Sequence, residues 1–123
     1  MLLIDKFSGK PVYEQLIEEI ERGVLLGVYP EGKLLPSIRE LSAALSINPN
    51  TIQKSYTELA HRGIIVPSPG NGCFVSPDAK EVLRREAMKK MEHLRELAQE
   101  LRLAGVSEQE LIAAVSGSKE EAR

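Results

Sequence analysis

Residues 46–56 read "SINPNTIQKSY", and there Asn48, Asn50, Thr51, Gln53 and Lys54, with Thr57 one step beyond, place amides, hydroxyls and an ammonium at close spacing. Such groups have a shared chemical use. Asn and Gln can pair through two hydrogen bonds with the N6/N7 edge of adenine, and Lys can reach guanine O6/N7 or a phosphate. Asn48-Pro49 reads as a helix start. A residue before proline is pushed into extended backbone, an N-cap needs that backbone, and proline loses nothing at the first helical position. The helix so launched is expected to reach Arg62 and stop at Gly63. Ile52, Tyr56 and Leu59 fall on one face and are assigned to a core, with Asn50, Gln53, Lys54 and Thr57 opposite. Asn48 is expected to cap through its side-chain oxygen, leaving its amide for a second contact. Thr51 lies in the first turn, where its hydroxyl and free backbone N–H groups could hold phosphate. A polar helix face is often only solvated surface. The surrounding elements favour the sharper reading.

"PVYEQLIEEIERGVLLGVYPEG" predicts a first helix, with Pro11 at its first position and Val12, Leu16, Ile20 and Val24 forming an apolar stripe. Gly27, Pro30 and Gly32 end it. "LPSIRELSAALS" opens a second helix through a capping box of Ser37 and Glu40, with Ile38, Leu41 and Leu45 inward. The second and third helices, about three residues apart, make a helix-turn-helix. In that motif the third helix presents its N-terminal part to base edges while the second, begun by Ser37 and Arg39, crosses the DNA backbone; Ser37 reads first as a cap, and Arg39 as a surface charge, a partner for Glu40 or a phosphate contact. Two β-prone triplets, residues 64–66 and 73–75, flank a Pro/Gly/Asn tip and predict a hairpin. Gly70 and Gly72 allow positive φ there, and Asn71 between them is placed to enter a minor groove. Helix, helix-turn-helix and hairpin in this order describe a winged helix over residues 1–75.

From Ser76 the composition changes. One start signal at Ser76-Pro77-Asp78 and one stop at Gly105 predict a single helix of roughly 27 residues, about 40 Å long. Ala87, Met91, Leu94, Ala98 and Leu101 alternate steps of four and three, a heptad seam. "SEQELIAAV" adds a second helix with a capping box of Ser107 and Glu110 and apolar Leu111, Ile112 and Val115. Residues 76–115 thus read as a two-helix segment and 116–123 as a flexible tail. An amphipathic helix of that length must bury its stripe. The expectation is a two-fold dimer built on Met88, Met91, Leu94, Ala98, Leu101, Leu111 and Ile112. Two recognition helices would then meet successive major grooves about 34–36 Å apart and require an inverted-repeat operator.

The net charge of −2 does not announce a nucleic-acid ligand, so the argument rests on local arrangement. Between Pro36 and Val75, Arg39, Lys54 and Arg62 stand against Glu40 and Glu58, while most carboxylates lie in the first helix and the tail. This near-neutral balance is the best support for the alternative, a winged helix serving as a protein-interaction module without base readout. A single cysteine forms no internal disulfide, no apolar run is long enough to span a membrane, and no signal sequence is read at the N-terminus. Together these predict a cytoplasmic protein. His61 and His93 are isolated from any Cys/His/carboxylate cluster, Cys73 reads as packing, and "PGNG" lies in a hairpin rather than before a helix. Neither enzyme, metal site nor cofactor is expected.

"LPSIREL", "NTIQKSYTEL", "RGII" and "GNGCFV" resemble the DNA-binding domain of the GntR family of bacterial transcription regulators. "INPNT" and "QKSY", with a two-helix tail of under fifty residues, resemble its YtrA subfamily specifically. The likeness covers roughly residues 5–115, the tail matching mainly by length and layout. It implies a mostly α winged helix followed by a short helical dimerisation segment, acting as a homodimeric regulator, usually a repressor, on double-stranded operator DNA. Subfamily genes often sit beside ABC-transporter genes. Many members carry Arg where Pro49 stands and a basic residue where Gln53 stands, so base reading here would shift to amides. No effector is readable, since the tail is too short to enclose a sizeable pocket.

Overall fold

In the computed structural model, which describes residues 3–117, the stripe of Leu16, Ile20 and Val24 is the buried face of α1 (Val12–Leu25). Pro11 stands just outside this helix rather than at its first position. Its φ of −55° and ψ of 143° are those of an N-cap, and its carbonyl accepts from the N–H groups of Glu14 and Gln15. Beyond α1 the chain doubles back, and Tyr29 lies so close to Gly23 that a Cβ there would come within 2.4 Å of its ring. Gly23 is the price of that close return.

The capping box forms as read: Ser37 Oγ accepts from Glu40 N–H at 3.0 Å, and Ser37 N–H donates to the Glu40 carboxylate at 3.0 Å. It starts α2 (Ile38–Leu45), which ends at Ser46 in the left-handed region, φ 54°. That turn leads into α3 (Pro49–His61), closed by Arg62 and by Gly63 at φ 83°. Ile52, Tyr56 and Leu59 are buried against α1 and α2, as their spacing required. The buried Ser55 hydroxyl donates to the Tyr13 carbonyl at 2.8 Å, and the Tyr56 hydroxyl donates to the Pro36 carbonyl. These two bonds tie α3 to α1 and to the segment that leads into α2.

The hairpin is shifted from the expected triplets. Its strands are β1 (Ile65–Ser68) and β2 (Gly72–Val75), antiparallel, pairing Ile65 with Val75 and Ser68 with Gly72. Ile64 lies buried ahead of β1, while Pro67 is inside it. Proline is tolerated because β1 is an edge: the other side of β2 is taken by residues 33–35, through Leu35 N–H to the Cys73 carbonyl and Val75 N–H to the Lys33 carbonyl, both 2.9 Å. This third extended segment has no pattern of its own in the sequence.

The single long helix expected after Ser76 is divided. Residues α4 (Ala79–Met88) and α5 (Met91–Leu103) are separated at Lys89-Lys90, whose N–H groups bond carbonyls only three residues back. The break follows the point where the buried stripe runs out: Ala79 and Leu83 belong to the winged-helix core, whereas α5 has no buried residue. The chain accordingly forms two compact units, divided between Arg85 and Glu86. The change of composition at Ser76 precedes this division because the first turns of α4 complete the winged-helix core. In the second unit, α6 (Glu108–Ser116) begins at the expected capping box of Ser107 and Glu110. Ser116 ends that helix and Gly117 caps it at φ 82°, so these two residues of the expected flexible tail are ordered by the helix; its remaining residues, 118–123, lie outside the described residues.

Candidate nucleic-acid interface

The start of α3 is a set of polar groups held by its own cap. Asn48 Oδ1 accepts from the Asn50 N–H at 2.8 Å, and the Asn48 carbonyl accepts from Thr51 N–H at 3.0 Å and Ile52 N–H at 3.3 Å. Proline has no N–H. The free first-turn donors expected beside Thr51 are therefore already occupied, and Thr51, half-buried, has only its hydroxyl to offer a phosphate. The contrast with α2 is informative. There Ser37 takes the N–H groups of Glu40 and Leu41, and those of Ile38 and Arg39 have no partner among the described residues. The open helix start is that of α2, beside the exposed Arg39.

Asn50, Gln53, Lys54 and Thr57 are all exposed on the side of α3 opposite the core. They are not equally free. Gln53 Nε2 donates to Thr57 Oγ1 at 3.0 Å, one turn along, which holds the amide along the helix face with its oxygen and second N–H outward. Lys54 turns towards α1 and sets its ammonium 3.7 Å from the centroid of the Tyr13 ring. Asn50 makes no side-chain bond among the described residues, and Asn48 keeps its amide N–H groups for a further partner. Asn50 and Gln53 are thus exposed with both donors and acceptors unused, beside the unused amide N–H groups of Asn48.

At the hairpin tip Gly70 and Gly72 take φ of 80° and 108°, and Asn71 is exposed between them with its amide on Ser68 Oγ at 3.2 Å. Gly72 has a second reason to lack a side chain, since a Cβ would meet Leu34 at 3.1 Å. Cys73 is half-buried, and burial pushes its thiol above the ordinary range, which disfavours the reactive thiolate. It packs against the core.

Two cations escaped the sequence reading. Lys6 reaches across to donate to the Ser46 carbonyl at 2.8 Å, which puts a positive charge at the helix-turn-helix turn. Its segment is fastened by Gln15, whose amide donates to the carbonyls of Asp5 and Lys10. Lys33 lies exposed beside β2 in the third extended segment. Neither has a local pattern to betray it; long-range pairing places both. Of the cations counted earlier, Arg62 is paired with Glu21.

In the second unit, Met88, Met91, Leu94, Leu101 and Ile112 are exposed, and Ala98 and Leu111 half-buried. With Leu97 and Val115, exposed and absent from the expected seam, Leu94, Ala98, Leu101, Leu111 and Ile112 border a groove of about 450 Å³ between α5 and α6, and Met88 and Met91 lie outside its lining. Leu97 falls between seam positions, so the heptad count passed over it.

The sequence family of bacterial regulatory proteins named for gntR matches residues 12–75. The HTH-type transcriptional repressor YtrA of Bacillus subtilis (strain 168) is 38% identical over 112 residues, covering 90% of this chain and 86% of its own. The chain belongs to the GntR family. Within it, the likeness is to the YtrA type. A transcriptional regulator from Oenococcus oeni, solved by crystallography, superposes with a TM-score of 0.74 at 29% identity, covering 95% of this chain and 98% of that one. The AraR DNA-binding domain, crystallised with operator ORR3, superposes with a TM-score of 0.52 at 25% identity, covering 62% of this chain and 95% of that one. As a GntR-family protein the chain is a transcriptional regulator with a winged-helix DNA-binding domain, not an enzyme. No helix among the described residues is long and apolar enough to cross a membrane.

Proposed function

We propose that this GntR-family regulator is a cytoplasmic repressor that binds an inverted-repeat operator as a homodimer. The observation that carries the reading is the outward face at the start of α3, where Asn50 and Gln53 stand exposed with amide groups unused. Amides of this kind suit adenine edges in a major groove. Arg39 and the open N–H groups of α2 suit the adjoining phosphates, with Ser37 holding that turn in shape. Asn48, Thr51, Lys54 and Thr57 complete the set along α3, and Gly70, Asn71 and Gly72 form a narrow tip that a minor groove can admit. AraR, whose DNA-binding domain was crystallised on operator DNA, supports this use of the fold.

Dimerisation is assigned to the second unit, where α5 has no buried residue and its leucines line an apolar groove with α6. Met88, Met91, Leu94, Ala98, Leu101, Leu111 and Ile112 form the proposed interface, extended by Leu97. A neighbouring transporter operon is the expected target, following the YtrA likeness. Footprinting of the intergenic DNA beside the chain's own gene tests the proposal. Protection of two half-sites in inverted orientation, about one helical turn apart, is expected. No protected site on that DNA, together with recovery of a protein partner, would replace the repressor with an interaction module.

A further inference from the structure

Resting on that DNA-binding reading, the geometry points to a residue outside the recognition helix that sets how it meets the phosphate backbone. Lys54 is the only Lys or Arg within α3. Its ammonium sits 3.7 Å from the Tyr13 ring centroid on α1. The recess around them also holds Glu14 and Glu58, yet among the described residues Lys54 forms an ion pair with neither. A ring face attracts the cation without neutralising it, so the charge and the N–H groups turned from the ring remain available. Tyr13 itself is firmly placed. It is half-buried against the core, its carbonyl accepts the buried Ser55 hydroxyl at 2.8 Å, and its own hydroxyl donates to Glu14 at 3.3 Å. Meanwhile Asn48 has occupied the N–H groups that would otherwise meet phosphate at this helix start, and Arg62 is engaged by Glu21.

We infer that Tyr13 is a positioning residue for DNA binding, holding the Lys54 ammonium on the α1 flank of α3 as a phosphate contact and leaving base reading to Asn50 and Gln53. Lys54, which could read guanine or grip a phosphate, then does only the second.

The test uses the full chain and a duplex from its own upstream intergenic DNA, with fluorescence anisotropy across a salt series. Lys54→Ala should weaken binding about equally on the preferred duplex and on single-base variants of it, and should lower the log–log salt slope by about one per protomer. Tyr13→Leu should weaken binding roughly two- to fivefold, Tyr13→Phe should restore wild-type affinity, and Tyr13→Leu should add nothing in the Lys54→Ala background. Circular dichroism melting checks folding, and Tyr13→Met, which keeps apolar bulk, replaces Leu if that variant does not fold. A changed base preference in Lys54→Ala overturns the inference. So does an undiminished Tyr13→Leu effect in the Lys54→Ala background, or a Phe variant as weak as Leu. Failure of the wild-type chain to bind any upstream duplex would instead sink the regulator proposal itself.

Discussion

The two compact units solve the same problem of burying aliphatic residues in opposite ways. In the first, α1, α2, α3, the hairpin and the start of α4 close over a shared core in which Leu16, Ile52, Leu59 and Ile64 are wholly inaccessible. In the second, only Ala113 is buried among the described residues, and Met91 and the leucines of α5 stay open to solvent. The first unit's stability is built into one chain. The second has apolar surface left over, and that surplus fits a unit that finishes folding against a second copy.

Core truncation should separate them most strongly. Leu59→Ala, at a fully buried position, is expected to cost about 2–5 kcal/mol in urea unfolding, whatever the protein concentration. Leu101→Ala should cost much less in dilute protein and show its effect as a greater concentration dependence. An equal loss for both in dilute protein would break the comparison. Next in size, Leu97→Glu with Leu101→Glu should give monomers in sedimentation equilibrium while the near-native circular dichroism of the winged helix persists. Dimers surviving that pair of charges would relocate the interface.

Ser37→Ala removes the cap of α2 and should destabilise the first unit by about 0.5–2 kcal/mol, a melting shift of a few degrees. The smallest effect is one of pH. The Ser37 backbone N–H, then its hydroxyl, holds the Glu40 carboxyl below its usual range. A depressed carboxylate contributes stability above its unfolded value of about 4.3 and loses it as pH falls through the lower folded value. Glu40→Gln should therefore flatten the acid limb of a stability–pH curve slightly; an unchanged limb would remove the capping box from the account.

What the sequence made legible, and what it hid, divides along the range of the interactions. Local chemistry read true: Ser37 with Glu40, Ser107 with Glu110, and Asn48-Pro49 each announce a helix start through groups within three residues of one another. The core faces of α1 and α3 also follow from period alone. The division at Lys89-Lys90 was invisible because no Gly, Pro or cap stands there, and only the exhaustion of the buried stripe marks it. The third extended segment at residues 33–35, the reach of Lys6 to Ser46, and the Tyr13 ring under Lys54 all depend on residues far apart in the chain. For the same reason the polar face of α3 could be read as exposed, but not which of its members were already held. Thr51 shows the cost: its spacing suggested a phosphate seat, and the neighbouring cap had taken the backbone donors.

The central claim is that the exposed amides of α3 read bases. The direct measurement is equilibrium binding of the footprinted duplex by wild type and by Asn50→Ala with Gln53→Ala, each side by side with a scrambled duplex. If two amide–base pairs are lost, each worth about 1–3 kcal/mol, the double variant should bind both duplexes alike and weakly while melting as wild type does. Retention of full affinity and preference by that variant would contradict the account.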